Sequence, residues 1–356
     1  MTEIRKDDID RLDGMIDGAS AVTIVAHTRP DGDALGSCTA MLCYLAEKRG
    51  KDAAIAFSEP YGDNISFIAP RKVRDGIFFH SLAPRETEAR IAASDLIICL
   101  DCNGFSRTGN LEKALTASEA AKVLIDHHIG PETESFGLVF SRTDVSSASE
   151  MLYDILMEMP DIFGNASNLP KRSAYALMAG MTTDTNNFAN SVGGGTLAMA
   201  SGLLEAGVDR ESILRRLYHG SRINRLNLMG YLLHENMEIT PEGTAFMIID
   251  KDIRRRFGMR EGETEGFVNI PLCAARIRLS MLLTEDEAGY FRVSVRSRSG
   301  ISAARFAGRF FSGGGHENAA GGKLFFGGGI TGRADAAEYI RKASAEFFMK
   351  PCKDNV

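Results

Sequence analysis

The chain has 356 residues, 44% of them hydrophobic and 25% charged, with a net charge of −6. That composition excludes a disordered polypeptide, and the length suggests two domains. The acidic balance argues against a non-specific binder of long nucleic acid, which presents a broad basic face, but leaves room for a small anion in a local basic pocket.

No apolar run approaches ~18 residues, so no membrane span is expected. The opening MTEIRKDDIDRLDGMIDG is too acidic and too broken for a signal peptide. It reads as an amphipathic helix burying Ile9, Leu12, Met15 and Ile16. Val22 to Ala26 is short, β-branched and unbroken, and reads as a buried strand. It ends in His27, Asp31 and Asp33, with Gly32 and Gly36 allowing a tight turn. Ala34 to Arg49 then reads as a helix, with Leu35, Cys38, Leu42 and Leu45 at helical spacing. Asp-Gly-Asp after a strand is also a common turn with a helix N-cap, so this stretch alone leaves two readings open.

Ala53 to Phe57 reads as a second strand. Residues 58–94, broken by Pro60, Pro70 and Pro84, receive little assignment. Asp95 to Leu100 is an apolar run that ends at Asp101, and Ala121 to Ile125 is another that ends at Asp126, His127 and His128. Such runs alternating with helical stretches imply a parallel sheet with helices on both faces. Ser147 to Met159 reads as a helix burying Leu152, Ile155 and Leu156, and Ala174 to Met181 is apolar and runs into Thr182, Thr183 and Asp184. After the glycine triplet 193–195, helical stretches at Thr196–Ala206 and Glu211–Tyr231 read as a connector. From Leu232 onward, alternating strands at Thr244–Ile249 and Tyr290–Val295 and frequent glycine indicate a smaller α+β domain.

Six cysteines follow no regular spacing and, without an export signal, read as reduced thiols in a cytoplasm. Cys99-x-x-Cys102 reads as incidental, because Cys99 lies inside an apolar strand whereas a redox pair opens a helix.

Four apolar segments thus each finish in carboxylate or imidazole, and the ends of parallel strands share one edge. Gathering so many carboxylates is unfavourable unless cations neutralise them. The inference is a divalent metal site with enough ligands for two ions. Oxygen donors with a minority of imidazole and no thiolate suit Mn²⁺, or Mg²⁺, Fe²⁺ or Co²⁺, better than a structural zinc. Two such ions would activate water and clamp a phosphoryl group.

The motifs HTRPDGDALGS (27–37), DCNGFSRTG (101–109), DHH (126–128) and TDTNNF (183–188) resemble the four motifs of the DHH phosphoesterases. GGGHENAAGG (313–322) resembles the signature of the associated DHHA1 domain. The resemblance runs in order over nearly the whole chain, and its subgroup is the short two-domain nanoRNase/pAp-phosphatase type. It implies an α/β fold: a DHH catalytic domain (1–195) with a parallel sheet, a helical connector (196–231), and a smaller α+β DHHA1 domain (232–356) that binds substrate. One Mn²⁺ would be held by His27, Asp31 and Asp101. The other would be held by Asp33, Asp101, His127 and Asp184, with Asp101 bridging. Asp126 would orient an imidazole, His128 would face the phosphate, and Arg107 would assist. Asn103 and Asn186 depart from the pattern of close relatives. Arg298, Gly314, Gly315 and His316 would bind substrate, a short oligoribonucleotide or the nucleotide bisphosphate pAp, in a cytoplasmic enzyme whose resemblance also implies a homodimer.

Within Phe291 to Phe310 there are five arginines (Arg292, Arg296, Arg298, Arg305 and Arg309) and no acid, which suits bidentate phosphate binding. Arg296 and Arg298 share one strand face in this reading, with Arg298 favoured. Glycines 313–315 suit an anion cradle or a plain hairpin. His80, His219 and His234 lie near no cluster and read as surface or core groups. Rival activities are a pyrophosphatase or polyphosphatase, for which lysines are expected in the second domain, and a linear-dinucleotide phosphodiesterase. A RecJ-type exonuclease needs more domains, and a sensing module would lack ligands.

Overall fold

The apolar runs of the first half become the inner strands of a six-stranded sheet. The computed structural model describes residues 4–220, 222–260 and 262–349, and the chain divides into two units, Met1–Gly220 and Ser221–Val356. The first unit runs α1 (Lys6–Gly18), β1 (Ala21–Val25), α2 (Gly32–Glu47), β2 (Asp52–Phe57), α3 (Arg71–Arg74), β3 (Ile77–Phe79), α4 (Pro84–Ala92), β4 (Leu96–Leu100), α5 (Glu112–Ala117), β5 (Ala121–Asp126), β6 (Leu138–Ser141), α6 (Ala148–Glu158), α7 (Lys171–Asp184), α8 (Gly194–Glu205) and α9 (Arg210–Tyr218). Its sheet has the order β3-β2-β1-β4-β5-β6, and every pairing is parallel.

Parallel strands must be covered on both faces, which is why β1 and β4 read as unbroken apolar runs. One face packs Ile24, Ile98 and Ile125 against Leu12, Leu35, Leu152 and Leu177 from α1, α2, α6 and α7. The other packs Val25, Cys99 and Leu124 against Ile91 and Leu115 from α4 and α5. Cys99 and Cys102 are both buried free thiols in that second layer.

Gly36 does not turn the chain, as its sequence position suggests; it lies inside α2. A Cβ there would stand 2.7 Å from Ala176 O and 2.8 Å from Gly180 Cα of α7. The two helices meet backbone to backbone, which brings the first turn of α2 beside the last turns of α7. A Cβ at Gly180 would collide with Ser149 Oγ and lie 3.0 Å from Asp33 Oδ1. Alanine gains up to ~1 kcal/mol over glycine in a helix interior, but overpacking a rigid contact costs ~1–3 kcal/mol. Gly180→Ala is therefore expected to lower stability, read by chemical denaturation, and to weaken divalent-metal binding in a parallel titration.

The second unit runs α10 (Ile223–Tyr231), β7 (Glu238–Ile239), β8 (Thr244–Ile249), α11 (Lys251–Arg256), β9 (Leu279–Asp286), β10 (Tyr290–Ser297), α12 (Ala303–Phe310), β11 (Gly314–Gly315), β12 (Ala319–Phe325) and α13 (Arg333–Met349). Its sheet has the order β11-β12-β10-β9-β8-β7 and is antiparallel except for β8 against β9. One face packs Met281, Phe291 and Val293 against Phe306 of α12 and Ile340 of α13. The opposite face of β8 and β9 packs Met247 and Leu282 against Leu228, Ile253 and Phe267. Of the helical stretch 196–231, α8 and α9 group with the first unit and α10 with the second. The single helix expected over Glu211–Tyr231 is two, broken between Tyr218 and Ile223. Among the described residues no helix is long and apolar enough to cross a membrane.

Candidate metal centre

The strand order reverses between β1 and β4, and open α/β sheets bind ligands outside the carboxyl ends of their strands at such a point. His27 lies two residues past β1, Asp101 directly follows β4, Asp126 closes β5, and His127 and His128 come next. Asp31 caps α2, its Oδ1 accepting the N–H groups of Asp33 (3.0 Å) and Ala34 (3.1 Å). Both readings of Asp-Gly-Asp therefore hold: it is a cap and it faces the site. Asp184 arrives differently. Its apolar segment is a helix, and the carboxylate is the last residue of α7, at the negative end of the helix dipole, where an anion is unfavourable.

Asp101 is the hub. Its backbone is left-handed (φ 52°), and its two oxygens face different imidazoles. Oδ2 lies 3.4 Å from His27 Nε2, and Oδ1 lies 3.4 Å from His127 Nε2. His27 Nε2 is also 3.7 Å from Asp31 Oδ2, and His127 Nε2 is 3.7 Å from Asp184 Oδ2. His27 Nδ1 bonds Thr28 O at 2.8 Å. A carbonyl only accepts, so Nδ1 carries a proton and donates it, which leaves Nε2 as the ring atom that faces the carboxylates and that binds a cation once its own proton is displaced. Three groups of donor atoms lie close enough to share an ion: His27, Asp31 and Asp101; Asp33, His127 and Asp184; and Asp101, His127 and His128.

Asp126 is fully buried and grips His128 rather than His127: its Oδ1 is 2.7 Å from His128 Nδ1, and its Oδ2 accepts the His128 N–H at 3.0 Å. Asp33 is fixed by the start of α6, accepting N–H groups from Ala148 (2.6 Å) and Ser149 (3.0 Å). These amides are missing from the sequence reading; the signal for them was Ser147, which caps α6, with Glu150 three residues on. The Thr28 N–H donates to Arg107 O at 2.8 Å, tying the loop after β1 to the loop after β4. Asn103 Nδ2 donates to the carbonyls of Ile129 (3.1 Å) and Gly130 (3.3 Å), joining that loop to the one after His128. Asn186 takes a left-handed turn (φ 46°), a conformation asparagine tolerates.

The ionisation balance fits a cation. Burial, then the charges of Asp101 and Asp184, hold the Asp33 carboxyl well above the usual range. Burial, then Asp101, pushes Asp184 up to about 7. Burial would lower the imidazoles, but hydrogen bonding to Asp101 outweighs it, raising His127 to about 10 and His27 well above its ordinary value. The cluster gathers protons because it is short of positive charge, and its donors, carboxylate oxygen with imidazole nitrogen, suit a hard or borderline divalent ion.

In the second unit, Gly314 and Gly315 form β11, paired with Gly321 and Ala320. His316 closes the hairpin, its N–H donating to Ala319 O at 2.8 Å. A Cβ at Gly313 would strike the backbone of Gly321 and Gly322, while Gly314 faces open space. Packing accounts for Gly313 but not for Gly314. β10 ends at Ser297, so Arg296 shares its strand face with Arg292, and Arg298 lies just past the strand. Arg298 Nη2 donates to the carbonyls of Leu272 (2.7 Å) and Ala274 (3.2 Å).

Fold and site together define a metal-dependent phosphoesterase. Residues 21–181 match the model of the DHH family, N-terminal domain. The chain is 27% identical to the bifunctional oligoribonuclease and PAP phosphatase NrnA of Bacillus subtilis, over 84% of this chain and 88% of that one. A solved exopolyphosphatase-related protein from Bacteroides fragilis is 30% identical with a TM-score of 0.89, covering 98% of both chains. The structure of exonuclease RecJ bound to manganese shares the fold (TM-score 0.54, 17% identity, 97% and 94% covered). The chain belongs to the DHH family of phosphoesterases.

Proposed function

We propose that this protein hydrolyses short oligoribonucleotides, the nucleotide bisphosphate pAp, or both, using two divalent cations, with Mn²⁺ preferred. The observation that carries the reading is the split of Asp101 between two ligand groups, Oδ2 toward His27 and Oδ1 toward His127. His27, Asp31 and Asp101 would hold one ion; Asp33, Asp101, His127 and Asp184 the other. Bound there, the ions supply an activated water and neutralise charge on the phosphoryl oxygens. The chain's own residues then do the rest. The α6 amides hold Asp33 in place, and Asp126 fixes the ring of His128 so that Nε2 points away from the carboxylate. His128 Nε2 and the Arg107 guanidinium stabilise the phosphoryl group and the leaving oxygen. Gly314, Gly315 and His316 contribute to nucleotide binding in the second unit.

The nucleotide substrates follow the name of the Bacillus subtilis relative. The name of the Bacteroides fragilis protein favours a second reading, hydrolysis of polyphosphate. One assay separates them. Metal-stripped protein with Mn²⁺ restored is offered pAp, a 5′-phosphorylated RNA dinucleotide, pyrophosphate and polyphosphate. Release of AMP or mononucleotide supports the first reading, and release of phosphate from polyphosphate alone moves the protein to the second. Asp126→Asn is expected to lower kcat ~10–100-fold with little change in KM, the usual cost of losing the partner that orients an imidazole. Steady-state kinetics at saturating Mn²⁺ read the split.

A further inference from the structure

Glu150 is a buried carboxylate that the chemistry above does not use. It sits in the first turn of α6, directly after the two amides that hold Asp33. Three residues past Ser147, it has the place of a capping-box glutamate, whose carboxylate turns back to the N–H of its own cap residue. Here it reaches further. Oε2 accepts the Ser146 N–H at 2.9 Å, the Ser146 hydroxyl, and the Thr196 hydroxyl at 2.7 Å. Thr196 lies in the first turn of α8, and its oxygen in turn accepts the Gly193 N–H at 3.1 Å. Gly195 leaves room for this contact, since a Cβ there would stand 2.8 Å from Glu150 Oε1. One carboxylate thus ties the start of α6 to the start of α8. The start of α6 holds Asp33, and α8 opens after the segment 185–193 that leaves Asp184. That segment carries four non-glycine residues at positive φ: Asn186, Asn187, Phe188 and Ser191. Such a backbone is costly for L-residues and persists only where its surroundings fix it.

We propose that Glu150 is a positioning residue for one ion of the pair, the one assigned to Asp33, His127 and Asp184. Through α6 it fixes Asp33, and through α8 it fixes the far end of the segment that leaves Asp184. The inference rests on the two-ion reading above and deepens it, because the two ions then have separate supports. On the other side, Asp31 is held by the first turn of α2 and His27 by the carbonyl of Thr28, and neither support passes through Glu150. Without the carboxylate, the buried Ser146 N–H loses its acceptor and both helix starts are released. Asp33 and Asp184 then lose their fixed separation, while His27 and Asp31 keep theirs. All three contacts are donors to one oxygen, so the position requires an acceptor there rather than a charge. A glutamine can supply that acceptor with its amide oxygen.

The test titrates Mn²⁺ into full-length, metal-stripped protein and follows it by electron paramagnetic resonance, in which a single bound ion and a spin-coupled pair give different spectra. Wild type is expected to bind two ions and show the coupled spectrum. Glu150→Ala should bind one ion nearly as wild type and the other ~10–100-fold more weakly, the usual cost of removing a group that orients a ligand. Thr196→Val, which cuts only the α8 arm, should weaken that ion several-fold, and Glu150→Gln should bind both ions nearly as wild type. Combined with Asp31→Asn, which acts on the His27 side, the loss from Glu150→Ala should add rather than overlap. Tyr44→Phe is the structural control. It removes a buried bond to Asp161 (2.9 Å) near the far end of α2 and should lower the melting temperature without moving either affinity. Unchanged binding in Glu150→Ala, equal weakening of both ions, or overlap with Asp31→Asn would overturn the proposal. If Glu150→Ala fails to fold, Thr196→Val carries the test, and normal binding by it would overturn the proposal. Should wild type bind a single ion, the two-ion reading fails; the role of Glu150 is then judged on that ion, and an unchanged affinity in both variants would overturn it.

Discussion

Asp101→Asn is expected to cut hydrolysis by at least ~10³-fold, equivalent to about 4 kcal/mol of transition-state stabilisation, while leaving the fold intact. The asparagine is nearly the same size, and the left-handed backbone at this position (φ 52°) is one that asparagine adopts as readily as aspartate. What is lost is one negative charge and one of the two anionic oxygens. In the native residue Oδ1 and Oδ2 face different imidazoles, so a neutral amide places an N–H where one ion needs a donor pair. Metal analysis of the purified variant should find less than half the native metal content, and excess Mn²⁺ should not restore the rate. Asp31→Asn is the informative contrast. Asp31 touches only the His27 side and also caps α2, and an asparagine still caps. Its loss should be smaller and should be partly recovered by raising Mn²⁺. Equal and unrescuable losses in both variants would mean that the two ligand groups act as one site.

The parts of the site that are legible in the sequence are those fixed by local chemistry. A short apolar run that stops at a charged residue is a buried strand reaching the edge of a parallel sheet, and this places His27, Asp101 and Asp126. Helix α7 resists the same reading, because an apolar segment of a buried helix has no amphipathic period and looks like a strand. The role of Gly36 is invisible for a related reason: the residue it must avoid, Gly180, is far away in sequence and near only because α2 and α7 pack together. The α6 amides that hold Asp33 are backbone groups, for which the sequence carries only the Ser147 capping signal. Edge strands β3 (IFF) and β6 (LVFS) are apolar but only three and four residues long, with half-buried positions, too short for a period to stand out. In the second unit, the arginine-rich run is plain, but what each arginine meets depends on where β10 ends and, for Arg298, on the carbonyls of Leu272 and Ala274. No local pattern encodes either.

Removing the metal is expected to destabilise the protein, and to do so more as the pH rises. In the metal-free cluster Asp184 titrates near 7, above its unfolded value of 3.8, and Asp33 is also raised. The folded state therefore holds protons that the unfolded chain has released. A carboxyl of this kind supports folding fully below about pH 4, and that support is lost as the pH climbs through 7. The imidazoles act in the same direction. His127, raised to about 10 from 6.5, favours the fold while protonated, and the gain fades above pH 6.5. Asp101 is held below the carboxylate range by the two imidazoles despite its burial, so its contribution fades only under strongly acidic conditions. From pH 5.5 to 8, then, the metal-free protein should lose thermal stability steadily. A divalent cation replaces those protons and binds more tightly as they leave, and its stabilisation grows with the ratio of free metal to Kd. Melting curves with Mn²⁺ and with EDTA should diverge with pH, the gap at pH 8 exceeding that at pH 5.5 by several degrees. In Asp184→Asn the gap should narrow at both ends, because the variant has neither the proton to lose nor the full ligand set. A gap independent of pH would mean that the cluster is neutralised by something other than a metal ion.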